Sequence, residues 1–312
     1  MKHFVIAALL CAGCASAPAP TPAPAPKVPD SEQYLPPDIE AISLLGKPLS
    51  APQLAPDVQK KREEDLAQAQ REYDANRDSA DAAMVLADRL AALGRYREAI
   101  GVATEAIQRH PDNPALYRLR GHRHINVRRF REAVSDLGKA ELLERGKRDE
   151  LERHQILYHL GLAHYLLGDY DRALSAYQRC LAVAKNPDRL VSTSNWMYMT
   201  LRRLGRVKEA EKLLEPISVD LDVVENVAYH KLLLMYEGDI APEELVRQDP
   251  NTADGATILY GIGNWSFVNG QPERADPLWQ KLLEGTQWFT FGYIAAEAEI
   301  ARLDKGRRSP SQ

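Results

Sequence analysis

The chain is 312 residues long, 45% apolar and 27% charged, with a formal net charge of −4. This composition is globular, and the lack of a basic excess excludes nucleic acid as a general partner. Only 18 glycines beside abundant Ala, Leu, Arg and Glu favour helices over sheets.

At the N-terminus, Lys2 and His3 precede the uncharged run Phe4–Cys11, followed by Ala12, Gly13 and Cys14. A basic start, a short apolar stretch and small residues predict an export signal over residues 1–13. The run falls far short of the roughly 20 residues that a membrane-spanning helix needs. Its end resembles a bacterial lipobox, with Cys11 where Leu is usual. That resemblance implies a diacylated Cys14 as the mature N-terminus. Of the three cysteines, Cys180 would then remain alone in the folded part, at a helix-packing position that suits a small buried hydrophobe.

Residues 14–55 are expected to be the lipidated Cys and an Ala/Pro-rich tether. Pro18, Pro20, Pro22, Pro24 and Pro26 alternate with other residues, a pattern that favours extended polyproline II. Pro48, Pro52 and Pro56 extend the irregular chain to about residue 55. From there the pattern turns helical, and residues 56–306 are predicted to be a repeat domain. A charged leading helix with one apolar stripe (Leu66, Ala69, Tyr73) comes first.

Pairs of helices come next. Turn positions fall at Gly94, Arg128, Gly168, Gly205, Gly238 and Gly270, a spacing close to 34 residues. Small residues recur at fixed distances around each turn (Ala87 and Ala99, Gly121 and Ala133, Gly161 and Ala173, Gly263 and Ala275), so that paired helices can approach closely. The fifth unit is degenerate, with Glu243 where Ala is expected. Trp288–Asp304 reads as a final helix capping the open end of the stack, and residues 307–312 as a disordered tail.

These residues resemble the tetratricopeptide repeat, best over residues 80–113 and 154–187. The resemblance implies an all-α solenoid, a right-handed superhelix whose concave face holds a peptide or partner protein. With the lipobox-like start, the whole resembles the exported repeat lipoproteins of bacteria. Ala15 directly after Cys14, rather than Asp, implies the outer membrane, with the domain facing the periplasm.

No chemistry of reaction is visible. There is no nucleophile elbow, P-loop or dinucleotide turn, and no cofactor is expected. The histidines lack the i, i+4 spacing of a helical zinc site. His124 and His164 occupy positions where Tyr normally packs. Glu297 and Glu299 read as solvated acids on a charged helical face.

One cluster stands out: Arg118, Arg120, Arg123, Arg128, Arg129 and Arg131, joined by His122 and His124. It is either a solvated face or a patch that recognises an anion, since Arg pairs bidentately with carboxylates. The family register turns Arg118, His122 and Asn126 toward the groove, then Tyr158, Leu162 and Tyr165, then Asn195, Met199, Arg202 and Arg203. Tyr236, Tyr260, Asn264 and Phe267 complete the wall. Aromatic, Asn and Arg side chains together suit an extended peptide with an acidic or C-terminal carboxylate. The family's chaperone-binding clamp is not matched, because Met84 and Asp88 stand at its groove positions.

The leading expectation is therefore a membrane-tethered, non-catalytic scaffold that binds a partner protein or peptide in its groove, in assembly of an envelope complex. The alternative is a glycan-acting envelope enzyme or subunit using the groove as a substrate channel. That version needs two close carboxylates, and the register supplies only Asp81, Asp88 and Glu225. A spacer whose lateral faces form oligomers is a third reading.

Overall fold

Apolar residues three and four apart, punctuated by turn residues with positive φ, build the fold from antiparallel helical pairs. The computed structural model describes residues 35–308. The export signal, Cys14, most of the tether and residues 309–312 lie outside the described residues. The chain divides into two units after Leu35, and the helical stack lies wholly in the unit that begins at Pro36.

A hairpin of β1 (Ile39–Ile42) and β2 (Pro48–Ser50) precedes the leading helix α1 (Pro56–Ala75). The pairs are α2 (Ala80–Ala92) with α3 (Tyr96–Arg109), α4 (Pro114–Asn126) with α5 (Phe130–Glu144), and α6 (Glu150–Leu167) with α7 (Tyr170–Leu181). They continue with α8 (Pro187–Arg203) and α9 (Val207–Leu214), α10 (Val227–Glu237) and α11 (Pro242–Leu245), then α12 (Ala253–Val268) and α13 (Pro272–Glu284). Helix α14 (Phe291–Arg308) ends the described chain. The degenerate fifth unit keeps its first helix and reduces its second to a single turn. Among the described residues, no helix is long and apolar enough to cross a membrane.

Local chemistry sets the boundaries. Ser79, Asn113, Asp149, Asn186 and Thr252 accept backbone N–H bonds at the starts of α2, α4, α6, α8 and α12. Each first helix ends at one of the six expected turn positions, all of which have positive φ. Five are glycine; the sixth, Arg128, has φ 64° and is the one non-glycine residue in that region among those described. Within the pairs, Gly161 lets the Tyr177 ring lie so close that a Cβ there would stand 2.6 Å from it. Cys180 is fully buried, with Sγ 3.5 Å from the His154 carbonyl, and burial pushes its thiol up to about 12.

Two expectations are corrected. Residues 39–50 are not irregular tether. Ile39, Ala41 and Ile42 pair antiparallel with Ser50, Leu49 and Pro48, and the chain reverses at Gly46 with φ 82°. Ala41 and Leu49 are buried, and the hairpin is pinned to the first pair. The Arg97 N–H donates to Glu40 Oε2 at 2.9 Å, and the Arg97 guanidinium donates to the carbonyls of Pro36 and Ile39. Of the three prolines only Pro48 lies in a strand, at the first residue of β2 in a two-stranded sheet, where a missing donor costs little.

Helix α14 covers the last pair, α12 and α13, but is more than an end cap. Every residue from Gly292 to Ile300 is buried, so no side of the helix faces water over that stretch. It packs against α6, α12 and α13. It also joins two cores: Trp288 and Tyr293 belong to the apolar cluster of the hairpin and α1–α4, whereas Ile294, Ala295, Ala296, Ala298 and Ile300 belong to the cluster reaching from α4 to α13.

Candidate partner-binding groove

The inner wall of the stack is lined by the first helices of the pairs, and α14 lies against it. Arg128, at the turn after α4, is 3% exposed in its side chain and reaches the Glu297 carboxylate of α14, itself 1% exposed. The contact is bidentate, with Nη2 donating to Oε2 at 2.7 Å and Nε to Oε1 at 3.2 Å. The same guanidinium donates to the carbonyl of Trp288 at 2.8 Å and lies over the rings of Trp288 and Tyr293. The backbone N–H of Leu44, in the hairpin turn, donates to Glu297 Oε1. A left-handed conformation costs a non-glycine residue about 1–2 kcal/mol, and here the side chain's charge-assisted bonds hold it in place.

Two residues further along α14, and so on nearly the opposite side of the helix, Glu299 accepts from two arginines. Arg203 of α8 approaches to 2.9 Å and Arg302 of α14 to 2.7 Å, while Tyr260 donates to the same carboxylate at 3.3 Å. Asn264 accepts from Arg203 Nε at 2.8 Å and from Tyr165, whose hydroxyl lies 2.8 Å from that of Tyr260. Phe267 lies under the Arg203 guanidinium, 4.5 Å away. Asn126 donates to the Phe289 carbonyl. Phe291 packs on a stacked pair, His122 and His159, whose rings are 4.2 Å apart, and on Tyr158 beside them. Burial holds His122 well below its usual value and His159 down to about 3, with Arg118 and Arg123 adding to the effect.

The groove residues read from the sequence thus do cluster on one wall, but they meet the chain's own helix. Seven are closed to any partner: Asn126, Leu162, Tyr165, Asn195, Met199, Tyr260 and Asn264 are all at most 3% exposed. Arg118, His122, Tyr158, Arg202, Arg203, Tyr236 and Phe267 keep partial exposure. Of these, Arg202 bonds Tyr198 and Asn269, and Tyr236 stacks on Tyr198 at 4.2 Å.

Of the arginine cluster, Arg131 is exposed, whereas the other five are engaged in ion pairs and form no open anion patch. Arg118 pairs with Glu152, Arg120 with Asp136, Arg123 with Asp88, Arg128 with Glu297 and Arg129 with Glu132, at 2.7–3.1 Å. Glu297 and Glu299, expected in solvent, are buried and each meets an arginine. Two carboxylates therefore do stand at this wall, but both are enclosed as partners of arginine. The residues that sequence reasoning missed are those of α14. Its signal was present, since Gly292, Ala295, Ala296 and Ala298 leave no polar side wide enough for a surface helix.

His124 and His164 are buried, 6% and 8% exposed, and fill the positions where Tyr packs in other repeats. Among the described residues, no three His, Cys, Asp or Glu side chains converge on a metal position.

Architecture and wall together define an all-α solenoid of stacked helical pairs, the class of generally non-catalytic, protein-binding scaffolds. Tetratricopeptide-repeat family models match residues 80–123 and 154–187, and the chain carries tetratricopeptide repeats over those segments. Similar solved structures include pilF of Pseudomonas aeruginosa, 16% identical over 77% of this chain and 91% of that one, with TM-score 0.47. BtubC from P. vanneervenii is 16% identical over 82% and 94%, with TM-score 0.45. YrrB, described as a TPR protein with an unusual peptide-binding site, is 16% identical over 76% and 97%, with TM-score 0.43. No curated protein sequence matches the chain.

Proposed function

We propose that this protein is a lipid-tethered, non-catalytic scaffold that recruits a partner protein at the bacterial cell envelope. Its contacts are made by the outer faces and inter-repeat loops, not by the inner wall. The observation that carries this choice of surface is the unbroken burial of Gly292–Ile300 against that wall. A ligand entering there would have to expel a helix held by two buried carboxylate–arginine contacts. The lipobox-like run ending at Cys14 and the alternating prolines after it support the tether. Ala15 supports an outer-membrane address facing the periplasm.

In cells fed an alkyne-bearing fatty acid, the wild type is expected to take up label and sediment with membranes, and Cys14→Ser to do neither. A photo-crosslinker scanned over exposed second-helix positions, Glu105, Leu142 and Arg179 among them, is expected to capture one partner in intact cells. An unlabelled, soluble wild type contradicts the tether. A scan that captures nothing contradicts the outer-face scaffold.

A further inference from the structure

Where α3 runs into α4 and α5 into α6, the loops border an open cleft of about 650 Å³. Its lining includes His110, Asn113, Glu144, Lys147, Asp149 and Glu152. Most of these polar groups already have structural work. Asn113 and Asp149 cap α4 and α6. Glu152 pairs with Arg118 at 2.7 Å, and the His110 ring bonds the Asp78 carbonyl.

Glu144 is different. It is the last residue of α5 and only 2% exposed, yet its Oε1 has no hydrogen-bond partner and no ion pair holds it among the described residues. A buried carboxylate without a partner costs several kcal/mol in principle. A helix C-terminus, where the last carbonyls carry negative partial charge, is also the worst end for an anion. Burial raises the Glu144 carboxyl above its usual value, with the charges of Lys147 and Arg153 opposing the shift and those of Asp149 and Glu152 adding to it.

We propose that this cleft binds an organic cation, the guanidinium or ammonium group of an arginine or lysine side chain, with Glu144 as its counter-charge. The absence of three converging metal-ligand side chains among the described residues directs the site to an organic cation. On the scaffold reading, the cation belongs to the partner protein, whose contact here is basic. The site itself is tested with small probes, so its failure and the failure of partner capture are separate results.

The experiment titrates Nα-acetylarginine methylamide, Nα-acetyllysine methylamide and the neutral isostere Nα-acetylcitrulline methylamide into the ¹⁵N-labelled full chain. Putrescine serves as a free amine lacking a backbone. The arginine and lysine probes are expected to give saturable shifts at the amides of Ala115, Lys147 and Glu152, and citrulline none. Glu144→Gln should bind the charged probes about tenfold or more weaker, while melting no lower than wild type, because an unpaired charge is removed. Putrescine binding as tightly as the arginine probe would support the cation site and assign it to free amines. Equal binding of citrulline, equal binding by Glu144→Gln, or no saturable shift in the wild type would overturn it.

Discussion

Glu297→Gln is expected to destabilise the protein by about 3–5 kcal/mol, the usual cost of leaving one member of a buried ion pair without its partner. Gln keeps the shape and can still accept the Leu44 N–H, so the loss reports the charge of Glu297 against Arg128. Arg128→Gly should cost somewhat less, because glycine removes about 1–2 kcal/mol of left-handed strain at φ 64° while stranding Glu297. The double variant should lose far less than the two losses added together. Urea unfolding of all four proteins gives the coupling energy. Additivity within about 0.5 kcal/mol would mean that the two side chains do not act as a pair.

Acid should unfold the protein earlier than its carboxylates alone would. Burial holds His124 and His159 down to about 3 and His154 to about 4, and His122 well below 6.5. In the unfolded chain each titrates near 6.5. Between these values the unfolded state binds more protons, so stability rises with pH. The contribution of these neutral histidines is complete above pH 6.5 and is lost as pH falls toward 4. Each loses about 1.4 kcal/mol per pH unit once well below 6.5. Four together can exhaust the roughly 5–15 kcal/mol of a typical domain before pH 4. Urea midpoints measured from pH 7.5 to 4.5 should fall steadily, with proton uptake on unfolding. A flat profile between pH 7 and 5 would contradict the buried, neutral assignment.

The repeat register was legible because turns and close contacts need particular residues. Gly94, Gly168, Gly205, Gly238 and Gly270 supply positive φ cheaply. Gly161 and Gly263 admit Tyr177 and Trp279 against the backbone. That register placed Arg203, Tyr260 and Asn264 on the inner wall. The final helix itself was legible, but its place opposite them was not, since residues 163 positions apart in the chain (Asn126 and Phe289) meet only through the tertiary fold. Two acids in an Ala-rich helix look like solubility until a buried arginine faces each. Arg128 at a glycine position was the clue, because strain of that kind persists only where other contacts hold it. The hairpin was hidden by its prolines, although Ile39–Glu40–Ala41 alternates and Gly46 marks a turn.

Helix α14 is an integral filling of the inner wall and not a ligand that comes and goes. Native-state hydrogen exchange of the amides from Tyr293 to Ile300 tests it directly. These amides should exchange only by global unfolding, with the same free energy and urea dependence as buried amides of α6 and α12 such as those of Leu162 and Leu259. Exchange through a smaller opening, with protection well below that of Leu162 and Leu259, would contradict the claim and reopen the inner wall as a binding groove.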